Sequence, residues 1–188
     1  MTAPGLLMAA GAGSRMGTPK ALVRDPDGTS WLRRSVAALV DGGCAPVTVV
    51  LGAGADDARP LVPAGVEVVV AGDWAAGMSA SLRAGLSALA DTDADAVVLT
   101  LVDLPDVTAD VVRRVVAAGA DRATLSRAAY HGRPGHPVVL GRGHWAGIAA
   151  TVTGDEGAKP YLATHDVTLV ECGDLATGRD QDTGPRAP

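Results

Sequence analysis

The sequence predicts a three-layer α/β domain built on a mostly parallel, mixed sheet. Three observations carry that prediction. Short β-branched runs recur along the chain, stretches with helical apolar spacing separate them, and the runs are apolar at nearly every position. Unbroken apolarity marks strands covered on both faces, as in a parallel sheet flanked by helices. The 188 residues fit a single domain spanning 1–188, large enough to bury a core without metal or disulfide staples.

Taken in order, "GLLMAA" (5–10), "PVTVVLG" (46–52), "VEVVVAG" (66–72) and "AVVLTLVD" (96–103) are the first four strands. Ser30 is placed to cap a helix over "SWLRRSVAALVDGG", with Leu32, Val36, Leu39 and Val40 in one stripe and Gly42 as its stop. "SASLRAGLSALA" repeats Leu82, Leu86 and Leu89 at helical spacing. Thr108 is placed to cap a third helix that turns Val111, Val112, Val115 and Val116 inward. Beyond residue 123 the alternation loosens. "ATLSRAAY" and "HPVVLG" are strands joined by a "GRPG" loop, "GDEGAKPYLATH" is one short helix, and "VTLVEC" is the last strand. The tail, 183–188, has no apolar anchor and is expected to be disordered.

The bulk composition narrows the function. A formal net charge of −5 argues against nucleic-acid binding, which needs a basic surface to displace counterions. No window approaches the ~20 apolar residues of a membrane span, and "GLLMAA" lacks the length and basic flank of a signal peptide, so a cytoplasmic location is expected. Cys44 and Cys172 stand alone, without C-x-x-C spacing, and are expected to be reduced, buried thiols. Only Lys20 and Lys159 of the 16 basic residues are lysine, so a generic need for positive charge explains them poorly.

The unusual residues collect where the strands end, which is where open α/β sheets bind ligands. In "MAAGAGSRMGTPKAL" (8–22), Gly11, Gly13 and Gly17 match neither the dinucleotide G-x-G-x-x-G nor a Walker loop. Small residues let backbone N–H groups approach an anion, Arg15 can fork two phosphate oxygens, and Lys20 adds a compact charge. The Thr18-Pro19 break sends Lys20 along a separate path, so the loop suits a polyphosphate gripped at two points. Asp103, directly after "VVLTLV", either caps a turn or holds a metal; beside a polyphosphate that metal is Mg²⁺, with Asp180 or Asp182 of "GRDQDTG" as second carboxylate. In "GMSASLRAGL", Ser79 or Ser81 is either an N-cap or, beside Gly77, a reader of a base edge. His136 either lines a ligand cleft or is a loop residue before Pro137.

In this order, "LMAAGAGSRMGTPKAL", "GMSASLRAGL", "LVDLP", "GHPVVL", "GDEGAK" and "GRDQDT" resemble the MobA-like NTP transferases, over residues 6–183. The nearest likeness is to the molybdenum cofactor cytidylyltransferase branch, through Ala9-Ala10-Gly11 where guanylyl relatives carry "AGG". The resemblance implies a Rossmann-like nucleotidyltransferase fold. It also implies transfer of a nucleoside monophosphate, CMP from CTP, onto a phosphorylated acceptor such as molybdopterin, with release of pyrophosphate. By the same resemblance Ala9, Ala10, Gly11, Ala12, Gly13 and Arg15 cradle the triphosphate, and Lys20 sits by the α-phosphate. Gly77, Met78 and Ser81 match base-reading positions. Asp103 with Asp180 or Asp182 holds Mg²⁺, and His136 lines the acceptor side. Arg15, Lys20 and Asp103 are thus the expected catalytic residues.

The chain departs from the family pattern in two places. "GRDQDTGPRAP" ends where the family continues into a terminal helix, and Lys159 stands where arginine is usual. A transferase of another nucleotide and a non-catalytic nucleotide-binding relative are the alternatives. A dinucleotide oxidoreductase is disfavoured by Lys20 and the Thr18-Pro19 break, because that fold needs a long helix directly after its glycines.

Overall fold

The computed structural model describes residues 2–181. One sheet holds seven strands: β1 (Gly5–Ala9), β2 (Val47–Leu51), β3 (Glu67–Val70), β4 (Ala96–Leu101), β5 (Leu125–Tyr130), β6 (Arg133–Gly141) and β7 (Thr168–Glu171). Their order is β3-β2-β1-β4-β6-β5-β7. Every pairing is parallel except the two made by β6, so the sheet is mixed and mostly parallel, as the apolar runs predict. The helices are α1 (Trp31–Asp41), α2 (Ala55–Ala58), α3 (Met78–Ala88), α4 (Ala109–Ala117), α5 (Arg142–Thr151) and α6 (Lys159–Leu162).

The two-residue period of β1 divides the core. Leu7 and Ala9 face α1 and α4, where they meet Leu32, Val36, Leu39, Val111, Val112 and Val115. Leu6 and Met8 face the opposite layer and meet Leu82, Leu86, Trp145, Ile148 and Leu162 from α3, α5 and α6. Both faces of the central strands are covered, giving the three layers expected of near-continuous apolar runs. Cys44 and Cys172 are free and buried, and burial pushes the Cys44 thiol up to about 12.

Several expectations are corrected. The α1 stripe ends at Leu39; Val40 lies about 100° further round the helix and is 50% exposed. Val116, one residue beyond Val115 on α4, is likewise only partly buried. Ser30 caps α1 through its side chain, which accepts from the Arg33 N–H, whereas the Thr108 hydroxyl makes no cap bond on α4. The "GRPG" segment is not a loop, since β6 starts at Arg133 and the turn needs only His131 and Gly132. The Glu171 carboxylate holds that turn by accepting from the N–H groups of His131, Gly132 and Gly173, which also keep its pKa below the ordinary value. The helix expected over "GDEGAKPYLATH" shrinks to α6, because Gly154 and Gly157 take left-handed turns at φ 55° and 56°. Helix α5 has no counterpart in the sequence reading, since only Trp145 and Ile148 of its ten residues are buried. Among the described residues no helix is long and apolar enough to cross a membrane. The tail 183–188 and Asp182 lie outside the described residues.

Candidate active site

The site forms beyond the carboxyl ends of the neighbouring parallel strands β1 and β4. After β1 the glycine loop closes on itself. The Met16 N–H donates to the Gly13 carbonyl at 2.8 Å, and the Lys20 N–H donates to the Gly11 carbonyl at 3.3 Å. Gly13 has φ 59°, and a Cβ there would lie 2.0 Å from the Thr18 carbonyl oxygen. Strain and overlap act together at this position. Gly13→Ala is expected to lower stability by about 1–3 kcal/mol in urea titrations and to weaken nucleotide binding, which isothermal titration would measure. A native-like unfolding midpoint and affinity would show that the loop tolerates an opened form.

Pro19 then starts a 3₁₀ turn, Lys20–Leu22. This short turn aims Lys20 back at the sheet, where its ammonium donates to Oδ2 of Asp103. Asp103 follows the end of β4 and is 7% exposed. A buried carboxylate at that position needs a partner, and Lys20 is that partner.

Two cavities meet at this ion pair. The smaller, about 310 Å³, is lined by Ala10, Gly11 and Ala12 on one side and by Trp74, Gly77, Met78 and Ser81 on the other. The larger, about 750 Å³, takes in Gly13, Arg15, Arg127, His136, Lys159 and Asp180. Met8, Ser14, Lys20, Met78, Leu101, Asp103 and Asp155 line both. Among the described residues the expected site residues line one or other cavity except Ala9, which is 1% exposed within β1 and lines neither.

Helix α3 enters the smaller cavity by its N-terminus, and neither serine caps it. Gly77 holds the cap position. Ser81 is buried in the pocket wall, while the Ser79 hydroxyl is buried elsewhere without a partner. The helix start is satisfied by a distant turn: Ser79 N–H donates to the Gly154 carbonyl at 2.9 Å and Met78 N–H to Oδ1 of Asp155 at 3.3 Å. A Cβ on Gly77 would lie 2.5 Å from the Gly154 oxygen, so glycine permits this close approach.

The chain returns to Asp103 near its end. Oδ2 of Asp106 accepts from both the N–H and the hydroxyl of Thr177 at 2.6 Å, and Gln181 N–H donates to the Asp103 carbonyl at 2.9 Å. This clamp carries Asp180 to the larger cleft. Sequence reasoning missed Asp106, Asp155 and Arg127. The "LPD" acid three residues after Asp103 and the acid of "GDEGAK" were visible signals, but their partners lie more than 70 residues away.

His136 is half-buried in the larger cleft. Its carbonyl accepts from the Tyr130 hydroxyl at 2.6 Å, and the preceding Gly135 carbonyl accepts from Nε of Arg127 at 3.0 Å. Burial, then the charges of Arg127 and Lys159, lower the His136 pKa to about 3. The imidazole is therefore neutral at pH 7. Between its ordinary value near 6.5 and about 3, the unfolded chain binds a proton that the folded chain refuses, so stability falls as pH drops through that window. Denaturant melts from pH 7 to pH 4 should show a shallower acid decline for His136→Gln than for the wild type. Identical declines would remove His136 as a source of acid sensitivity.

The model of the MobA-like NTP transferase domain matches residues 5–169. The chain belongs to the MobA-like NTP transferase family. Nicotine blue oxidoreductase of Paenarthrobacter nicotinovorans is 36% identical, covering 95% of this chain and 91% of that protein. A probable molybdenum cofactor guanylyltransferase of Rhodopirellula baltica is 31% identical over 64% of this chain and 57% of its own length. Rv0371c of Mycobacterium tuberculosis H37Rv, a solved structure, superposes with a TM-score of 0.79 at 30% identity, covering 97% of this chain and 94% of that one. The same protein has also been solved as a complex with manganese, with a TM-score of 0.76 at 27% identity. Family and architecture thus agree on a nucleotidyltransferase-type α/β fold.

Proposed function

We propose that this protein transfers a nucleoside monophosphate, CMP from CTP, onto a phosphorylated acceptor such as molybdopterin and releases pyrophosphate. The observation that carries the reading is the Lys20–Asp103 pair standing where the two cavities open into each other. In this reading the base and ribose occupy the smaller cavity beside Ser81 and the N-terminus of α3. The glycine loop and Arg15 hold the triphosphate, and the acceptor enters along the larger cleft.

An acceptor phosphate oxygen forms the new bond to the α-phosphorus as the bond to the bridging oxygen breaks, and its electron pair leaves with pyrophosphate. The attacking phosphate is already a nucleophile, so positioning and charge neutralisation do the work and no general base is required. That agrees with a neutral His136, which pairs with no carboxylate among the described residues. Lys20 releases Asp103 and turns its ammonium to the α-phosphate oxygens.

Among the described residues no three His, Cys, Asp or Glu side chains form a metal cage. Asp103 and Asp180, two carboxylates on one cleft, are nevertheless the donor set that Mg²⁺ uses together with phosphate oxygens. Bound there, Mg²⁺ supplies neutralising charge to the triphosphate. The manganese complex of Rv0371c supports a divalent ion in this fold.

The test is a panel of four NTPs with Mg²⁺ and purified molybdopterin, scored for pyrophosphate. CTP-selective release is expected; GTP-selective release would move the protein to guanylyl transfer. The 36% identity to nicotine blue oxidoreductase along 95% of the chain favours a second reading, in which the cavities hold a redox-active ring compound and its electron donor. That reading predicts reduction of nicotine blue by one of a panel of added two-electron donors, with no pyrophosphate formed.

A further inference from the structure

Arg127 is the least expected residue in the larger cleft. It is in register with Val138 on β6, which pairs with Leu99 on β4, so the three side chains stand on one sheet face. Two strand spacings, about 10 Å, therefore separate Arg127 from the strand that leads to Asp103. The β5–β6 register shifts immediately after Arg127, an irregularity of the kind that re-aims a side chain. Its Nε donates to the Gly135 carbonyl, and among the described residues that is the only hydrogen bond of its side chain, which leaves the paired Nη groups for the cleft. No carboxylate of the described residues lies within 4 Å of Arg127 or Lys159. Enclosure already pulls the Arg127 pKa below its ordinary value. Enclosing a guanidinium whose charge has no carboxylate partner is costly unless an anion arrives.

We propose that Arg127, together with His136 and Lys159 on the lining of the same cleft, forms an anion subsite set two strands away from the strand that leads to Asp103. The acceptor, on this view, carries a second anionic group apart from the phosphate that attacks. The fork geometry of Arg127 selects an oxyanion with two parallel oxygens, a phosphate ester or a carboxylate, and the neutral His136 adds one hydrogen bond without competing charge. Leu99 and Val138, level with Arg127 on the sheet face, give this ligand's body an apolar floor. The assignment of that ligand as the acceptor rests on the transfer reading above; the subsite itself does not.

The test uses the full chain, saturated with CTP and Mg²⁺ to fill the glycine loop. It is titrated separately with inorganic phosphate and with acetate, while the Arg127 guanidinium signals are followed by ¹⁵N NMR. One anion is expected to saturate these signals with nucleotide still bound; phosphate preference assigns a phosphate ester and acetate preference a carboxylate. Arg127→Gln should weaken that anion at least tenfold and leave CTP affinity within twofold, with Arg127→Lys in between. Lys159→Met provides the same comparison if Arg127→Gln does not fold, and should weaken the anion severalfold. Undiminished anion binding in these variants, or no binding of either anion to the wild type, overturns the proposal. If CTP itself fails to bind, the transfer reading fails instead, and the Arg127 signals still report on the subsite in the nucleotide-free protein.

Discussion

Lys20→Ala is expected to lower the rate of pyrophosphate release by at least about 10²–10³-fold, the usual cost of deleting one preorganised group that stabilises developing charge. Lys20 reaches the junction of the two cavities through the 3₁₀ turn that Pro19 starts, and its ammonium already lies at Asp103. In the proposed transfer, charge builds on the α-phosphate oxygens, and the ammonium that turns to them from Asp103 neutralises it. The side chains of Lys20 and Asp103 are 20% and 10% exposed, so water in the cleft can solvate Asp103 once Lys20 is gone. The melting midpoint should then fall by only a few degrees. A variant that keeps near-native kcat would place the bond-breaking step elsewhere.

Asp103→Ala is expected to abolish turnover to a similar degree, with a different signature. Here the divalent-metal dependence should change along with kcat, since Asp103 is, with Asp180, the carboxylate pair proposed to hold Mg²⁺. Steady-state kinetics across a Mg²⁺ series, with direct Mn²⁺ binding as a second readout, separates the two variants. Lys20→Ala should bind Mn²⁺ as the wild type does, and Asp103→Ala at least tenfold more weakly. Equal metal binding in both would remove Asp103 from the metal site and leave it as a partner for Lys20 alone.

The glycine loop, Asp103 and the start of α3 were legible because their signals are local. Each is a turn or a polar residue set directly after an apolar strand, and strand ends in this architecture face one edge. The same locality explains the errors. Thr108 and Ser79 have the chemistry of caps, yet the N-terminus of α3 is satisfied by Gly154 and Asp155, which no window around residue 78 contains. Val40 continues a helical stripe on paper, but α1 packs only through Leu39. Arg127 reads as an ordinary strand arginine until β6 and the 154–159 segment bring His136 and Lys159 into the same cleft.

By itself the sequence determined the order of the seven strands, the first long helices, the mostly parallel sheet and the glycine loop after β1. Alternation of apolar runs, helical spacing and glycine punctuation act over a few residues and are written directly in the chain. Only the tertiary structure decided which polar groups meet. Lys20 with Asp103, Met78 with Asp155 and Asp106 with Thr177 are pairs separated by 83, 77 and 71 positions. Such pairings form when buried strands fix their register, because packing of both sheet faces then brings these distant groups within hydrogen-bonding reach of one another.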